Sequence, residues 1–318
     1  MEKEYLNICQ VSLDGNLPII LQNIKNFKKF YDNVNFFIIV PSRYFNIFKE
    51  KIYFDNINII SEDDIISLEE FKKISNEYFK KNIYFKEIQN RLSWYYQQIL
   101  KISFVINFIE DTKKDIIIWD ADTVIIDKII FFKNSQSVLY GNTSEFHKAY
   151  YKTNLNILGS APRYFISSLS QFIALSTKEY DYFKKLTNLK YKNKDMIGRE
   201  LSHLIMKSIS NVHIDYNGSM FSEFELIGHS NLLKNFKKQK LISGIRDNLS
   251  GTLNKNQIML LKLLGFKYIA YEHTYNNNNS QGMLDRSQNW SSLIKILIKK
   301  ISNNFFRGLR HHLRFYYH

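Results

Sequence analysis

The chain has 318 residues, 45% hydrophobic and 15% aromatic, with a net charge of +14 from 44 Lys+Arg against 30 Asp+Glu. Enough apolar surface is available to offset the chain entropy lost on folding, which excludes a disordered, collagen-like or low-complexity protein. A single cysteine, Cys9, excludes an intramolecular disulfide framework and a Cys-based zinc site. No apolar run reaches the roughly 20 residues of a membrane span, and the N-terminus lacks the basic start and cleavage site of a signal peptide, so a reducing cytoplasm is the expected compartment.

Tyr5–Leu13 reads as a first strand, ended by the polar turn Ser12-Leu13-Asp14-Gly15-Asn16. Pro18–Tyr31 has helical spacing, with Pro18 in the first turn, where its missing N–H costs nothing. Val34–Val40 is a buried-type strand stopped by Pro41; Arg43–Lys51 follows as a helix and Ile57–Ile60 as a third strand. This β–α–β–α–β alternation, with continuous apolar strands, predicts a mostly parallel sheet flanked by helices, a Rossmann-like α/β fold. A long helix is expected over Ile88–Phe108 and an apolar strand over Asp115–Trp119. Val138–Tyr140 is another short strand, and 141–170, rich in Ser, Asn and Tyr, reads as loops over the sheet. Lys178–Thr187 and Met196–Ser208 look helical, while Met220–Gly228 and Lys267–Tyr271 bracket the end of the body. The body is taken as 1–275, followed by a linker and tail over 276–318.

The most informative chemistry is Ile116-Ile117-Ile118-Trp119-Asp120-Ala121-Asp122. An apolar strand delivers two carboxylates, two positions apart, where open parallel sheets bind ligands. Such a pair repels unless a cation joins it. A divalent metal bridging a nucleotide diphosphate meets that demand, because Mg²⁺ takes one or two carboxylates plus phosphate oxygens. The same letters followed by Thr123-Val124 also resemble the nucleophile motif of haloacid-dehalogenase phosphatases, in which Asp120 would attack phosphorus. That family needs a later lysine and a further acidic pair, and its motif ends the first strand; here three strands come first. A non-enzymatic basic binding protein is a third reading, but the body has no nucleic-acid module, so no nucleic-acid partner is expected.

Three stretches resemble the GT-A-type glycosyltransferases, in particular a bacterial capsule and surface-polysaccharide group of the DUF6492 type. They are Arg91-Leu92-Ser93-Trp94-Tyr95-Tyr96-Gln97-Gln98-Ile99-Leu100-Lys101, similar to a W-x-x-Q-Q-x-L-K helix; Trp119-Asp120-Ala121-Asp122-Thr123; and Phe221-Ser222-Glu223-Phe224-Glu225-Leu226-Ile227-Gly228, similar to S-E-Y-E-x-Y-G. Phe224 stands where that pattern has Tyr, and Ile227 where it has an aromatic residue. The resemblance implies a GT-A-like body and transfer of a sugar from a nucleotide-sugar donor to a glycan or glycolipid acceptor of a capsule or lipopolysaccharide. It also implies dependence on Mn²⁺ or Mg²⁺.

On that reading Asp122 is the main metal ligand, Asp120 touches the ribose or the metal, and His273, or less so His229, supplies a third ligand. Glu223 and then Glu225 are expected at the acceptor, one of them as general base; in an extended segment the two would share a face. Ser12 and Asp14 lie where a nucleoside would be held. Trp94, Gln98 and Lys101, at helical spacing, would line the donor pocket, and Arg163 would meet the diphosphate or an anionic acceptor.

The charge is uneven. From Arg286 to the end there are seven basic residues (Arg286, Lys295, Lys299, Lys300, Arg307, Arg310, Arg314) and no acid. On a helix Leu293, Leu297, Ile301 and Phe305 share a face and Lys295 and Lys299 point elsewhere. This basic amphipathic C-terminal helix suits an anionic membrane surface. A peripheral position at the inner face of the cytoplasmic membrane is therefore expected.

Overall fold

The computed structural model describes residues 5–80, 85–141, 147–160, 162, 166–189, 193–212, 219–235, 239–246, 249, 251–271 and 287–299. The first half is the alternation read from the sequence: β1 (Leu6–Val11), α1 (Leu17–Phe30), β2 (Val34–Val40), α2 (Phe45–Lys51) and β3 (Ile57–Ser61). Then come α3 (Leu68–Phe79), α4 (Phe85–Asn90), α5 (Leu92–Thr112) and β4 (Ile116–Trp119). Short strands β5 (Thr123–Ile125), β6 (Phe132–Lys133), β7 (Gln136–Ser137) and β8 (Tyr140–Gly141) precede α6 (Lys148–Leu158), β9 (Phe172–Leu175), α7 (Thr177–Thr187) and α8 (Ile197–Ser210). The chain continues through α9 (Glu223–Asn235), β10 (Lys240–Leu241), β11 (Ser243–Ile245), α10 (Lys255–Leu263) and β12 (Phe266–Ala270). Residues 290–299 are helical.

The central sheet has the order β3-β2-β1-β4-β9. β1, β2, β3 and β4 run parallel, and β9 joins β4 antiparallel. The helices cover both faces. On one, α1 presents Leu17, Ile20, Ile24 and Phe27 at three- and four-residue spacing, a stripe that packs on Phe36 and Trp119. On the other lies α5, apolar around most of its circumference and correspondingly buried between the sheet and α3, α8 and α9.

The structure departs from the sequence reading in several places: α3 was not expected, and the one helix expected over Ile88–Phe108 is α4 and α5, parted at Arg91. Two further departures lie later in the chain. The stretch expected to loop over the sheet contains α6, whose buried face includes Tyr150, Thr153 and Asn154. Polar contacts hold this helix: Thr153 Oγ1 donates to the Met220 carbonyl at 2.6 Å and Asn156 Nδ2 to that of Ser208 at 3.1 Å. A second sheet, β11-β12-β5, builds on the chain leaving β4. Its core includes Val124, Ile245, Leu261, Phe266 and Ile269, and it also takes in Leu293 and Leu297. The described part of the expected tail, residues 287–299, is therefore packed on the body, and residues 276–286 and 300–318 lie outside the described residues. Among the described residues no helix is long and apolar enough to cross a membrane.

Candidate functional site

The chain runs from β1 through β2 to β3 on one side, and β4 lies on the other side of β1. The carboxyl ends of β1 and β4 thus flank the point where strand order reverses, the usual crevice for ligands in such sheets. Ser12 follows β1 there and Asp120-Ala121-Asp122 follows β4. Ala121 is buried, whereas the two aspartates on either side of it are half-buried.

The acidic turn is anchored on three sides. Asp120 N–H donates to the Gln171 carbonyl at 2.9 Å, Thr123 N–H to the Asp120 carbonyl at 3.1 Å, and Tyr271 N–H to the Asp122 carbonyl at 2.8 Å. The Thr123 hydroxyl lies 3.0 Å from Asp122 Oδ1. From below, the fully buried Trp119 donates its indole N–H to the Thr123 carbonyl at 2.8 Å and stacks on Phe172 at 5.1 Å. Nothing in the sequence pointed to Gln171. It holds a left-handed backbone, φ 64°, a conformation that non-glycine residues adopt rarely.

Behind the turn lies a buried ionic cluster. Lys101 Nζ is 2.5 Å from Asp120 Oδ1 and 2.7 Å from Glu223 Oε1. Burial works against its charged form, but the two carboxylates outweigh it and push the Lys101 pKa up. The Glu223 carboxyl is also pushed up: burial dominates, Lys101 opposes it, and Asp120 adds repulsion. Lys101 Nζ lies 5.1 Å from the Phe224 ring centroid, within cation–π range. Gln98, one turn earlier on α5, accepts the Glu223 N–H at 3.1 Å and so satisfies one of the open donors that start α9. Gln98 and Lys101 thus share a face, as their spacing predicts. Trp94 is half-buried and stacks on Tyr150 of α6.

Glu223 and Glu225 do not share a face, because α9 begins at Glu223 and the pair is helical. Glu223 turns to Lys101. Glu225 accepts the Ser167 hydroxyl at 2.6 Å and lies 3.4 Å from His229 Nε2. Asn154 Nδ2 is 3.0 Å from His229 Nδ1; with the amide donating, Nδ1 accepts and the ring proton sits on Nε2, facing Glu225. Glu223, Glu225, His229, Asn154 and Ser167 are all buried. The two glutamates therefore back the crevice instead of opening onto it, and His229 belongs to this inner network. Ser12 is buried, with its hydroxyl donating to the Leu13 carbonyl at 3.0 Å. Asp14 opens a short 3-10 turn ahead of α1. Arg163 and His273 lie outside the described residues.

A hard dication suits the donor set at the mouth of the crevice. Two half-exposed carboxylates offer oxygen ligands, although Asp120 shares one oxygen with Lys101. No group of three His, Cys, Asp or Glu side chains that could hold a metal occurs among the described residues. Phosphate oxygens and water would thus have to fill the remaining coordination positions.

Residues 14–179 match DUF6492, a family of unknown function. The match spans just over half of the chain, which belongs to this family. It includes α5, the acidic turn and Gln171, and stops before α9. No curated protein matches the chain.

Proposed function

We propose that this member of the DUF6492 family is a metal-dependent glycosyltransferase with a GT-A-like body. It would move a sugar from a nucleotide-sugar donor to a bacterial surface-polysaccharide acceptor, a capsule or lipopolysaccharide glycan. The observation that carries the reading is the half-exposed Asp120–Asp122 pair at the carboxyl end of β4, beside the point where strand order reverses. In this reading Asp122 and the remaining oxygen of Asp120 hold Mn²⁺ or Mg²⁺, which when bound neutralises charge on the departing diphosphate. Lys101 fixes Asp120 and adds positive charge at the back of the crevice. Glu223 and Glu225, being buried, act as positioning residues: Glu223 through Lys101, and Glu225 through Ser167 on the segment leading to Gln171. Ser12 and Asp14 lie on the nucleoside side.

A thermal-shift series with nucleoside diphosphates and nucleotide sugars, with Mn²⁺ or with chelator, tests this. A ligand that binds only the folded state stabilises it by about 2.7 kcal/mol at a hundredfold excess over Kd. The expected result is a rise in Tm with at least one nucleotide plus Mn²⁺, lost in chelator and in Asp122→Asn when each is compared with its own ligand-free Tm. Equal stabilisation in chelator overturns the metal assignment. No response to any nucleotide, together with hydrolysis of p-nitrophenyl phosphate that depends on Asp120, favours the phosphatase reading.

A further inference from the structure

The 290–299 helix presents two apolar stripes, and only one of them is used for packing. Leu293 and Leu297 are 0% and 6% exposed in the core of the second sheet, whereas Trp290, Ile294 and Ile298 are 41%, 46% and 62% exposed. At about 100° per residue the exposed stripe lies directly beside the buried one, and Lys295 and Lys299 come next around the helix. Both lysines are exposed. Body, apolar stripe and basic edge therefore follow one another around a helix whose orientation is fixed by its buried leucines.

The flanking structure extends this character. Thr252 pairs with Ser287, and Gln257 Nε2 of α10 donates to the Gln288 carbonyl at 2.8 Å, so α10 and the 290–299 helix start from one tied point. α10 exposes Met259 and Leu263, four residues apart, and Leu264 follows; its segment Lys255–Leu263 contains no acid. No Asp or Glu occurs from Arg286 to the C-terminus.

We propose that the Trp290–Ile294–Ile298 face, edged by Lys295 and Lys299, docks the protein on an anionic lipid bilayer. Apolar side chains beside lysines, with a tryptophan at one end, match the acyl–headgroup boundary of such a membrane. Anionic headgroups meet the lysines with opposite charge. A second copy of the same face would instead bring lysine against lysine. The membrane-facing stripe is thus one step around the helix from the Leu293–Leu297 stripe expected from the sequence. The inference is independent of the sugar-transfer reading, and its test involves no nucleotide.

The test is co-sedimentation of the full chain with phosphatidylcholine vesicles, with or without about a third of phosphatidylglycerol, at low and high salt. Binding is expected only with phosphatidylglycerol and should weaken at high salt. Ile294→Ser with Ile298→Ser, and separately Lys295→Glu, should each weaken it roughly tenfold or more at unchanged Tm. Quenching of tryptophan emission by brominated phosphatidylglycerol should be largely lost in Trp290→Phe, a change mild enough to keep the fold. The proposal is overturned if the wild-type chain ignores phosphatidylglycerol vesicles or the surface variants bind as wild type does. Undiminished quenching in Trp290→Phe, or serine variants that convert a dimer to a monomer, would also overturn it.

Discussion

Lys101→Met leaves a carboxylate buried without its counter-charge. Glu223 is 2% exposed and its carboxylate lies 2.7 Å from the ammonium. At an effective dielectric near 20, two unit charges at that distance attract by about 6 kcal/mol gross. Desolvation of each ion takes back several kcal/mol, so truncating one partner of such a pair costs about 3–5 kcal/mol. Methionine is close to lysine in volume, and the loss is therefore electrostatic and not a cavity effect. The sign with pH follows. Lys101 opposes the upward shift of the Glu223 carboxyl; without it the folded-state pKa climbs further above the unfolded one. Between those two values the native state holds an extra proton, so the variant loses stability as pH rises through that window. The wild-type lysine, with its pKa raised, contributes fully below its unfolded value, hence throughout pH 5–8. Urea denaturation of both proteins from pH 5 to 8 should show a deficit that is largest at pH 8 and shrinks toward pH 5. Adding Glu223→Gln should recover most of it. A deficit below about 1 kcal/mol that stays flat across this range would refute the assignment of the cluster as a charged, buried unit.

Two further outcomes are expected. A Cβ on Gly244 would sit 2.0–2.4 Å from ring atoms of the fully buried Tyr268, so Gly244→Ala should destabilise by about 1–3 kcal/mol or more in chemical denaturation; an unchanged midpoint would contradict the close strand-to-ring packing. Cys9 is fully buried and its thiol is pushed up to about 12, mainly by burial, so iodoacetamide at pH 8 should label it only after unfolding. Rapid labelling of the native protein, read by mass spectrometry, would show that β1 is accessible.

The parallel half of the sheet was legible because each strand is a continuous apolar run with its own punctuation, such as Pro41 after β2 or the carboxylates after β4. α6 was not, because its buried face includes Thr153, Asn154 and Tyr150, and the hydrogen-bond partners of Thr153 and Asn154 come from residues 60 or more positions away. For Glu223 and Glu225 the sequence leaves the local geometry open, and the structure makes it helical. Two carboxylates two apart share a face only in extended chain, and packing against α5, α6 and α7 makes the segment a helix. The tail shows the same limit differently: periodicity finds the apolar stripes of 290–299, but two adjacent stripes look alike until the body covers one.

The site and the core are joined through α5, and that separates the two aspartates. Asp120 shares Lys101 with Glu223, and Gln98 on the same helix caps the first turn of α9. The back wall of the crevice is therefore core structure, and a change at Asp120 disturbs a buried ion pair as well as any ligand. Asp122 has its carboxylate beside the Thr123 hydroxyl at the half-exposed edge of the turn, outside the Lys101 cluster. Asp122→Asn leaves that ion pair in place, so its effect is read as ligand-induced stabilisation against its own ligand-free Tm, whereas effects of Asp120→Asn have to be divided between binding and loss of the buried pair.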